Sequence, residues 1–241
     1  MTALAVIPAR GGSKRLPGKN VRVMCGLPAI AYTIAAARDS GLFSLVMVST
    51  DSESIAEVAV RYGAQVPFLR AAALADDETH VSSVTLDALT RMDQTSQRFA
   101  FVAQLMPNCP LRDAADVRDS YQQFVDTQSN AQLSVARFGW QTPWWAMRRG
   151  DDFRLTPLFP QEAVTRGQDL PPLVCPTGAI WWARAETLRD AGTFHIPGRT
   201  GWEIDPAHAI DIDTEDDWSL AEALMARRLV ISNAERYHHA R

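Results

Sequence analysis

Two stretches near opposite ends of the sequence carry side chains that could bind and transform a phosphorylated substrate. The first, residues 9–20, reads Ala-Arg-Gly-Gly-Ser-Lys-Arg-Leu-Pro-Gly-Lys-Asn, with four cationic residues and three glycines in twelve positions. Glycine lets backbone N–H groups approach a ligand closely, and the cations supply the positive field that an oligophosphate needs. This pattern predicts a phosphate-binding loop rather than a solvated basic loop, because a solvated loop would not need the glycines.

The loop matches neither of two common phosphate-binding motifs. The sequence contains no Gly-x-x-x-x-Gly-Lys-Ser/Thr here, which disfavours a P-loop NTPase. It also lacks Gly-x-Gly-x-x-Gly, which weakens the case for a Rossmann dinucleotide site.

The second stretch places Asp211 and Asp213 alternately with isoleucines. On a strand, both carboxylates would project to one face while the isoleucines pack on the other. Two unpaired carboxylates repel each other, and a divalent cation such as Mg²⁺ removes that conflict. The alternative is that Asp213 merely caps a helix that begins at Thr214, where Thr214-x-x-Asp217 resembles a capping box. That alternative leaves Asp211 unexplained.

Composition limits the classes of protein to consider. The chain has 241 residues, 46% of them hydrophobic, and a net charge of −4, which allows a sizeable core and disfavours a broad nucleic-acid surface. Cys25, Cys109 and Cys175 show no metal-ligand spacing, and we expect reduced thiols. We find neither a signal-peptide pattern nor an apolar stretch long enough to cross a bilayer, so we expect a cytoplasmic protein without a membrane partner.

The order of the predicted elements indicates the fold class. Residues 3–7 and 45–49 read as buried strands, with a helix between them from Pro28 to Gly41. A short strand over 65–68 and a core strand over 99–105 follow, each after a helical pattern. Right-handed crossovers then predict an α/β fold, with a mostly parallel twisted sheet and helices on both faces.

We expect one domain over residues 1–232, followed by a flexible tail over 233–241. Within the domain, residues 139–172 differ in kind, since tryptophans at 140, 144 and 145 alternate with prolines and charged residues. Such a segment often covers a site or a partner subunit. The tryptophans could also pack within a single subunit.

The N-terminal loop resembles the signature of the acylneuraminate cytidylyltransferases, the CMP-sialic acid synthetases and their bacterial nonulosonate relatives. Further similar segments are Arg70 with its following Leu-Ala-Asp-Asp, Pro107 to Arg112, residues 166–171, and the alternating Ile-Asp pair at 210–213. The resemblance implies a Rossmann-like nucleotide-diphospho-sugar transferase fold. It also implies transfer of CMP from CTP to the anomeric hydroxyl of an acidic nine-carbon keto-sugar, with release of pyrophosphate.

The same resemblance implies roles for individual residues. Catalysis would involve Arg10, Lys19 and Asp211, and Mg²⁺ (or Mn²⁺) would bind Asp211 and Asp213. The expected nucleotide contacts are Ala9, Arg10, Gly11, Gly12, Ser13, Lys14, Asn20, Arg70 and Ser82, although Ser82 could equally be an ordinary helix cap. The expected sugar contacts are Gln104, Asn108, Arg166, Gln168 and Thr177. In the family, the excursion reaches across a homodimer.

The sequence departs from the family pattern in the segments that face the sugar. Met106, Asn108 and Cys109 stand where Gln, Thr and Ser are common, and Thr177 replaces an asparagine. These departures leave open which nonulosonic acid is the substrate. One alternative is a 3-deoxy-manno-octulosonate cytidylyltransferase, whose loop usually has proline where this chain has Asn20. Another is a nucleotide-binding regulatory protein without turnover.

Overall fold

The computed structural model describes residues 2–95 and 97–239, with side chains through residue 231. Its strands are β1 (Ala3–Pro8), β2 (Val23–Met24), β3 (Leu27–Pro28), β4 (Leu45–Ser49), β5 (Phe101–Gln104), β6 (Ala131–Arg137), β7 (Met147–Arg149), β8 (Leu155–Pro157), β9 (Val174–Arg184) and β10 (Thr200–Glu203). Its α-helices are α1 (Ala29–Ser40), α2 (Glu53–Arg61), α3 (Val81–Asp93), α4 (Ala114–Asp126), α5 (Ala185–Ala191) and α6 (Glu215–His239).

A six-stranded sheet in the order β10-β6-β9-β5-β1-β4 forms the centre of the fold. β1 pairs in parallel with both β4 and β5, and β10 pairs in parallel with β6. Only β9 runs antiparallel to its neighbours in this sheet. The predicted α/β class with a mostly parallel sheet is therefore confirmed.

The apolar run of β1 is buried on both faces because helices cover both sides of the sheet. Ala3, Ala5 and Ile7 pack into a cluster with α1, α2 and α4. Leu4 and Val6 point the other way and pack with α3 and α5. A sheet covered on both faces requires continuous apolar strands, which is the pattern that the sequence shows here.

Two local predictions were wrong. Residues 211–213 form no strand, since β10 takes the sheet edge beside β6 and the N–H of Ile212 bonds to the carbonyl of Asn108. In the segment predicted as a strand over 65–68, Gln65 alone forms a bridge, to Met47. Ser52 caps α2 with its side chain, and the carboxylate of the preceding Asp51 accepts a hydrogen bond from the N–H of Gly11.

The segment over 139–172 lies outside the main sheet, as its composition predicted. It contains a small hairpin, β7 with β8, and short 3₁₀ turns. Many of its large apolar side chains are exposed, among them Trp140 at 82% and Val164 at 86%. The segment therefore presents apolar surface that this single chain does not cover.

The last helix, α6, extends to His239 and so passes the predicted domain end at residue 232. The predicted flexibility of residues 233–241 stays a prediction, and residues 240–241 lie outside the described residues. Within 2–95 and 97–239, none of the helices combines the length and the apolar character that crossing a membrane would require.

Trp182 on β9 is the largest fully buried side chain, and it generates a stability prediction. Its ring stacks on Phe43 with centroids 5.3 Å apart, and its indole N–H donates to Ser120 Oγ at 3.0 Å. We expect Trp182→Ala to lower the free energy of unfolding by about 3–5 kcal/mol, because a large cavity replaces the ring. Urea denaturation followed by circular dichroism measures this change.

The exposed Val60 on α2 provides the control for that measurement. Val60→Ala should change the free energy of unfolding by less than about 0.5 kcal/mol. Equal effects of the two substitutions would contradict the central role of Trp182 in the core.

Candidate functional site

A cavity of about 580 Å³ opens at the carboxyl edge of the sheet, beyond the ends of β1 and β5. This edge is where open α/β sheets bind ligands. The lining residues are Pro8, Arg10, Ser13, Lys14, Arg15, Lys19, Asn20, Arg70, Leu74, Asp76, Asp77, Thr79, Val81, Val84, Met106, Pro107, Asn108, Asp211 and Asp213. The cavity therefore joins the N-terminal loop, the segment after Arg70, the loop after β5 and the Asp211–Asp213 segment.

Hydrogen bonds and one glycine turn fix the course of the loop over residues 9–20. The N–H of Ala9 donates to the carbonyl of Ser49, which ties the start of the loop to the end of β4. Asn20 Nδ2 donates to the carbonyl of Arg10 at 3.1 Å and draws the two ends of the loop together. Gly18 has φ +69°, a left-handed conformation that side chains rarely adopt, which explains a glycine at this turn.

Lys19 connects the loop to the carboxylate segment. Its Nζ donates to the carbonyl of Ile212 at 2.7 Å and to Asp213 Oδ1 at 3.0 Å, and only 15% of its side chain is exposed. Arg15 pairs with the other oxygen of Asp213 at 2.8 Å. The two stretches singled out in the sequence therefore meet through Asp213.

The other two cations of the loop pair with an acid that the sequence analysis did not select. Arg10 lies 2.8 Å and Lys14 2.5 Å from the carboxylate of Asp77. Arg10 also donates to the backbone carbonyl of Asp76 at 2.6 Å. Hydrogen bonds from Lys14 and then Arg10 lower the pKa of Asp77, so this carboxyl group is ionised at neutral pH.

Asp211 is the acidic group of the cavity whose protonation is most perturbed. It is open to the cavity, yet protein atoms crowd its carboxyl group and raise its pKa to about 6, with repulsion from Asp213 adding to the effect. Asn108 Nδ2 donates a hydrogen bond to Asp211 Oδ1. A carboxylate held beside a second carboxylate favours a bound cation, since the cation compensates both charges.

The donor set of this corner fits a hard divalent cation. Asp211 and Asp213 offer carboxylate oxygens, the ligand type that Mg²⁺ and Mn²⁺ prefer. The Oδ1 atoms of Asn20 and Asn108 are buried and find no hydrogen-bond partner among the described residues. Unsatisfied buried oxygens are uncommon in folded proteins, and their position in the wall of this cavity is consistent with a ligand or ion that supplies the missing contact.

Arg70 lines the cavity, but its guanidinium group donates hydrogen bonds to groups within the protein. It donates to Ser49 Oγ at 3.2 Å and to the carbonyl of Ser49, and another nitrogen reaches the carbonyl of Leu74 at 3.4 Å. Burial lowers its pKa. The residue thus holds the segment after β4 against the strand end and contributes positive charge to the cavity wall.

Several predicted nucleotide contacts do not reach the cavity surface. Ala9 and Ser82 are buried, and the cavity lining beside Ser82 consists of Val81 and Val84. Gly11 and Gly12 lie outside the lining, and the N–H of Gly11 is already bonded to Asp51 at 2.9 Å.

Four of the five predicted sugar contacts also lie elsewhere. Gln104 is completely buried and accepts a hydrogen bond from Thr85 Oγ1, because β5 ends there and the chain turns before Met106. Thr177 bonds to Ser134 Oγ within the sheet at 2.7 Å. Arg166 and Gln168 are exposed on the excursion, where Arg166 pairs with Asp169. Only Asn108 lines the cavity.

The structure adds residues that sequence reasoning missed. The cavity lining includes four residues from the segment that follows Arg70: Leu74, Asp76, Asp77 and Thr79. From the sequence, Arg70 alone of this segment was selected as a site residue, although the Leu-Ala-Asp-Asp after it was part of the family-like pattern. Val81, Val84 and Met106 supply an apolar part of the wall. Their apolar character gave no signal that separates a cavity wall from ordinary core.

Comparisons with known proteins show the family to which this chain belongs. The family model described as "Cytidylyltransferase" matches residues 4–94. The chain is 37% identical over 227 residues to CMP-N,N'-diacetyllegionaminic acid synthase of Legionella pneumophila, covering 93% of this chain and 97% of that protein. It is 30% identical over 224 residues to pseudaminic acid cytidylyltransferase of Campylobacter jejuni, covering 93% and 96%.

A solved structure supports the fold. CMP:2-keto-3-deoxy-manno-octonic acid synthetase complexed with CTP superposes with a TM-score of 0.70 at 18% identity, covering 95% of this chain and all of that one. Identity this low establishes a shared fold alone, whereas the sequence relatives establish the family. The chain belongs to the cytidylyltransferases, in the acylneuraminate branch whose members activate nonulosonic acids.

Proposed function

We propose that this chain transfers CMP from CTP to the anomeric hydroxyl of a nonulosonic acid and releases pyrophosphate. The observation that carries the proposal is the contact between Lys19 and Asp213, which brings the cationic loop and the carboxylate pair into one cavity. Transfer of a nucleotidyl group needs cations at the phosphates and positioned groups at the attacking oxygen. Both kinds of group line this cavity.

The residues of the loop would act on the triphosphate. Arg10, Ser13, Lys14 and Lys19 offer donors to phosphate oxygens and offset the charge that grows on the leaving pyrophosphate. The anomeric hydroxyl attacks the α-phosphorus in line, so the new bond to phosphorus forms opposite the bond that breaks. Asn20 holds the loop closed and its unpaired Oδ1 can orient the nucleotide or the sugar.

Asp211 and Asp213 would hold Mg²⁺ or Mn²⁺, and Asn108 keeps Asp211 in position through its side-chain amide. A bound divalent cation polarises phosphoryl oxygens and lowers the pKa of a hydroxyl group near it. For this ion to bind, Asp213 must share or release the contacts that it makes with Arg15 and Lys19. We assign no side chain as general base.

The test is pyrophosphate release from CTP and Mg²⁺ across a panel of nonulosonic acids and the octulosonate. We expect pyrophosphate release with a nonulosonic acid. The panel begins with derivatives of legionaminic acid and pseudaminic acid, because two relatives of this chain are named after these sugars. Release with the octulosonate alone would overturn the substrate assignment. Binding of CTP without pyrophosphate release with any sugar acid of the panel would favour a nucleotide-binding regulatory protein.

We also propose that the chain works as a homodimer in the cytoplasm. The exposed apolar side chains of residues 139–172 support the dimer, because a surface of this kind suits a subunit interface. The predicted sugar contacts Arg166 and Gln168 lie on that segment, so a partner subunit could bring them to a cavity. The three unpaired cysteines are consistent with a reducing compartment.

Sedimentation of the intact chain tests the dimer. We expect a particle of twice the chain mass of 26.6 kDa, and we expect Val164→Glu to shift it towards the monomer because a charge enters the apolar surface. Glu186→Gln, on the exposed start of α5, should leave the mass unchanged. A monomeric wild-type chain at micromolar concentration would contradict the proposal.

Lys19 yields a prediction for turnover. Lys19→Ala removes a cation from the phosphate loop and the link to Asp213, and we expect pyrophosphate release to fall by about 100-fold or more. Arg61→Ala, at the exposed end of α2, should retain normal activity. Thermal melting of both variants verifies that they fold. Normal turnover in Lys19→Ala would contradict the assigned role.

The raised pKa of Asp211 yields a pH prediction. Because this carboxyl group is protonated below about pH 6, its ability to bind a cation is present above that pH and is lost as the pH falls through it. Mn²⁺ binding measured by electron paramagnetic resonance should therefore weaken by up to about tenfold per pH unit below pH 6.

Two variants isolate the contribution of Asp211. Asp211→Asn should bind Mn²⁺ weakly and lose the pH dependence, whereas Asp216→Asn, at the exposed start of α6, should behave as wild type. An identical pH profile in Asp211→Asn would show that another group binds the ion.

A further inference from the structure

An acidic side chain of the same chain lies in the proposed phosphate site. The carboxylate of Asp77 lies between Arg10 and Lys14, at 2.8 Å and 2.5 Å. Both cations belong to the loop that would hold the triphosphate, and all three residues line the cavity. Since a carboxylate oxygen and a phosphate oxygen accept the same charge-assisted hydrogen bonds, they compete for these donors.

The backbone around Asp77 is organised independently of that contact. Asp76 Oδ1 accepts hydrogen bonds from the N–H groups of Glu78 at 3.0 Å and Thr79 at 2.7 Å, which closes a turn. The carboxylate of Asp77 itself is 43% exposed, and the Lys14 side chain is 80% exposed. The Asp77 side chain can therefore rotate away from the cations without breaking the turn that carries it.

A second carboxylate, that of Asp51, accepts a hydrogen bond from the backbone of the same loop. Asp51 Oδ1 accepts the N–H of Gly11 at 2.9 Å, a donor that a phosphate-binding loop would otherwise direct at its ligand. Two acids from different segments thus engage donors of one loop. Of these, Asp77 is the acid that lines the cavity, so it is the one that a ligand would meet directly.

We propose that Asp77 is an intramolecular competitor of the polyphosphate, occupying part of its site and being displaced when CTP binds. The inference rests on the proposed function and adds a residue that sets affinity. Because Asp77 must first be displaced, the chain binds the triphosphate less tightly than it would without this acid. The return of Asp77 to Arg10 and Lys14 favours release of pyrophosphate. The competition is reciprocal: a ligand that displaces the Asp77 carboxylate from the two cations is itself displaced when that carboxylate returns to them.

The experiment is isothermal titration of the full chain with pyrophosphate and, separately, with CTP. Asp77→Asn removes the competing charge and keeps the size of the side chain, so both ligands should bind about three- to tenfold more tightly, the range expected for two exposed ion pairs. Glu78→Gln is the matched control, because it removes a neighbouring exposed charge from a residue outside the cavity lining. It should change either affinity by less than about twofold.

Lysine chemistry provides an independent readout. Lys14 and Lys19 are the two lysines of the chain, so acylation mapped by mass spectrometry reports on this loop. Loss of the ion pair in Asp77→Asn should increase the rate of acylation at the exposed Lys14, and pyrophosphate should protect Lys14 in both proteins.

Three outcomes would overturn the proposal. Unchanged or weaker pyrophosphate binding in Asp77→Asn would mean that Asp77 orders the cations instead of competing for them. Equal tightening in Glu78→Gln would reduce the effect to general electrostatics. Unaltered Lys14 acylation in Asp77→Asn would show that the ion pair does not form in solution. The proposed function is tested separately, by whether the wild-type chain releases pyrophosphate from CTP with a nonulosonic acid, a result that does not depend on how Asp77→Asn changes the affinities.

Discussion

The contact of Lys19 with Asp213 and with the carbonyl of Ile212 is the interaction on which the site depends. It joins residues 194 positions apart, and it places a single ammonium group between the loop after β1 and the segment before α6. The ammonium group is mostly buried, so water screens this contact less than it screens the exposed pairs. The contact thereby holds the cationic loop beside the two carboxylates, without a strand between them.

The sheet makes that contact possible by its parallel pairing. Because β1, β4 and β5 run in the same direction, their carboxyl ends place three loops at one edge. Hydrogen bonds then tie the loops together: the N–H of Ala9 reaches Ser49, and the N–H of Ile212 reaches Asn108 at 2.9 Å. Asn108 also bonds to Asp211 through its side chain, so the loop after β5 positions the carboxylate segment twice.

The parts of the fold that local pattern determines were predictable, and the parts that distant contacts determine were not. β1 and α1 were confirmed almost to the residue, since an apolar run, a preceding proline and a following glycine are local signals. The prediction of a strand at Asp211–Asp213 was wrong, because Ile212 is buried in a loop. A buried apolar residue between two acidic ones gives the same alternating pattern there as a strand would. The expected sugar contact of Gln104 was not found because this last residue of β5 is buried, and its side chain accepts a hydrogen bond from Thr85 inside the protein. Asp77 belongs to the family-like Leu-Ala-Asp-Asp that follows Arg70, but no spacing reveals that it meets Arg10, 67 positions earlier in a sequence rich in acids.

Charge balance in the cavity links the proposed metal ion to the proposed displacement of Asp77. Five cationic and four acidic side chains line the cavity, so the wall by itself is close to neutral. A triphosphate and a sugar carboxylate both bring negative charge, and the burial of uncompensated charge is costly. A divalent cation at Asp211 and Asp213 would offset part of this charge. Rotation of Asp77 out of the cavity would expose two further cations to the phosphates at that moment. Such a site gains positive potential only when the substrate is present, and the same acid can neutralise the cations again once pyrophosphate leaves.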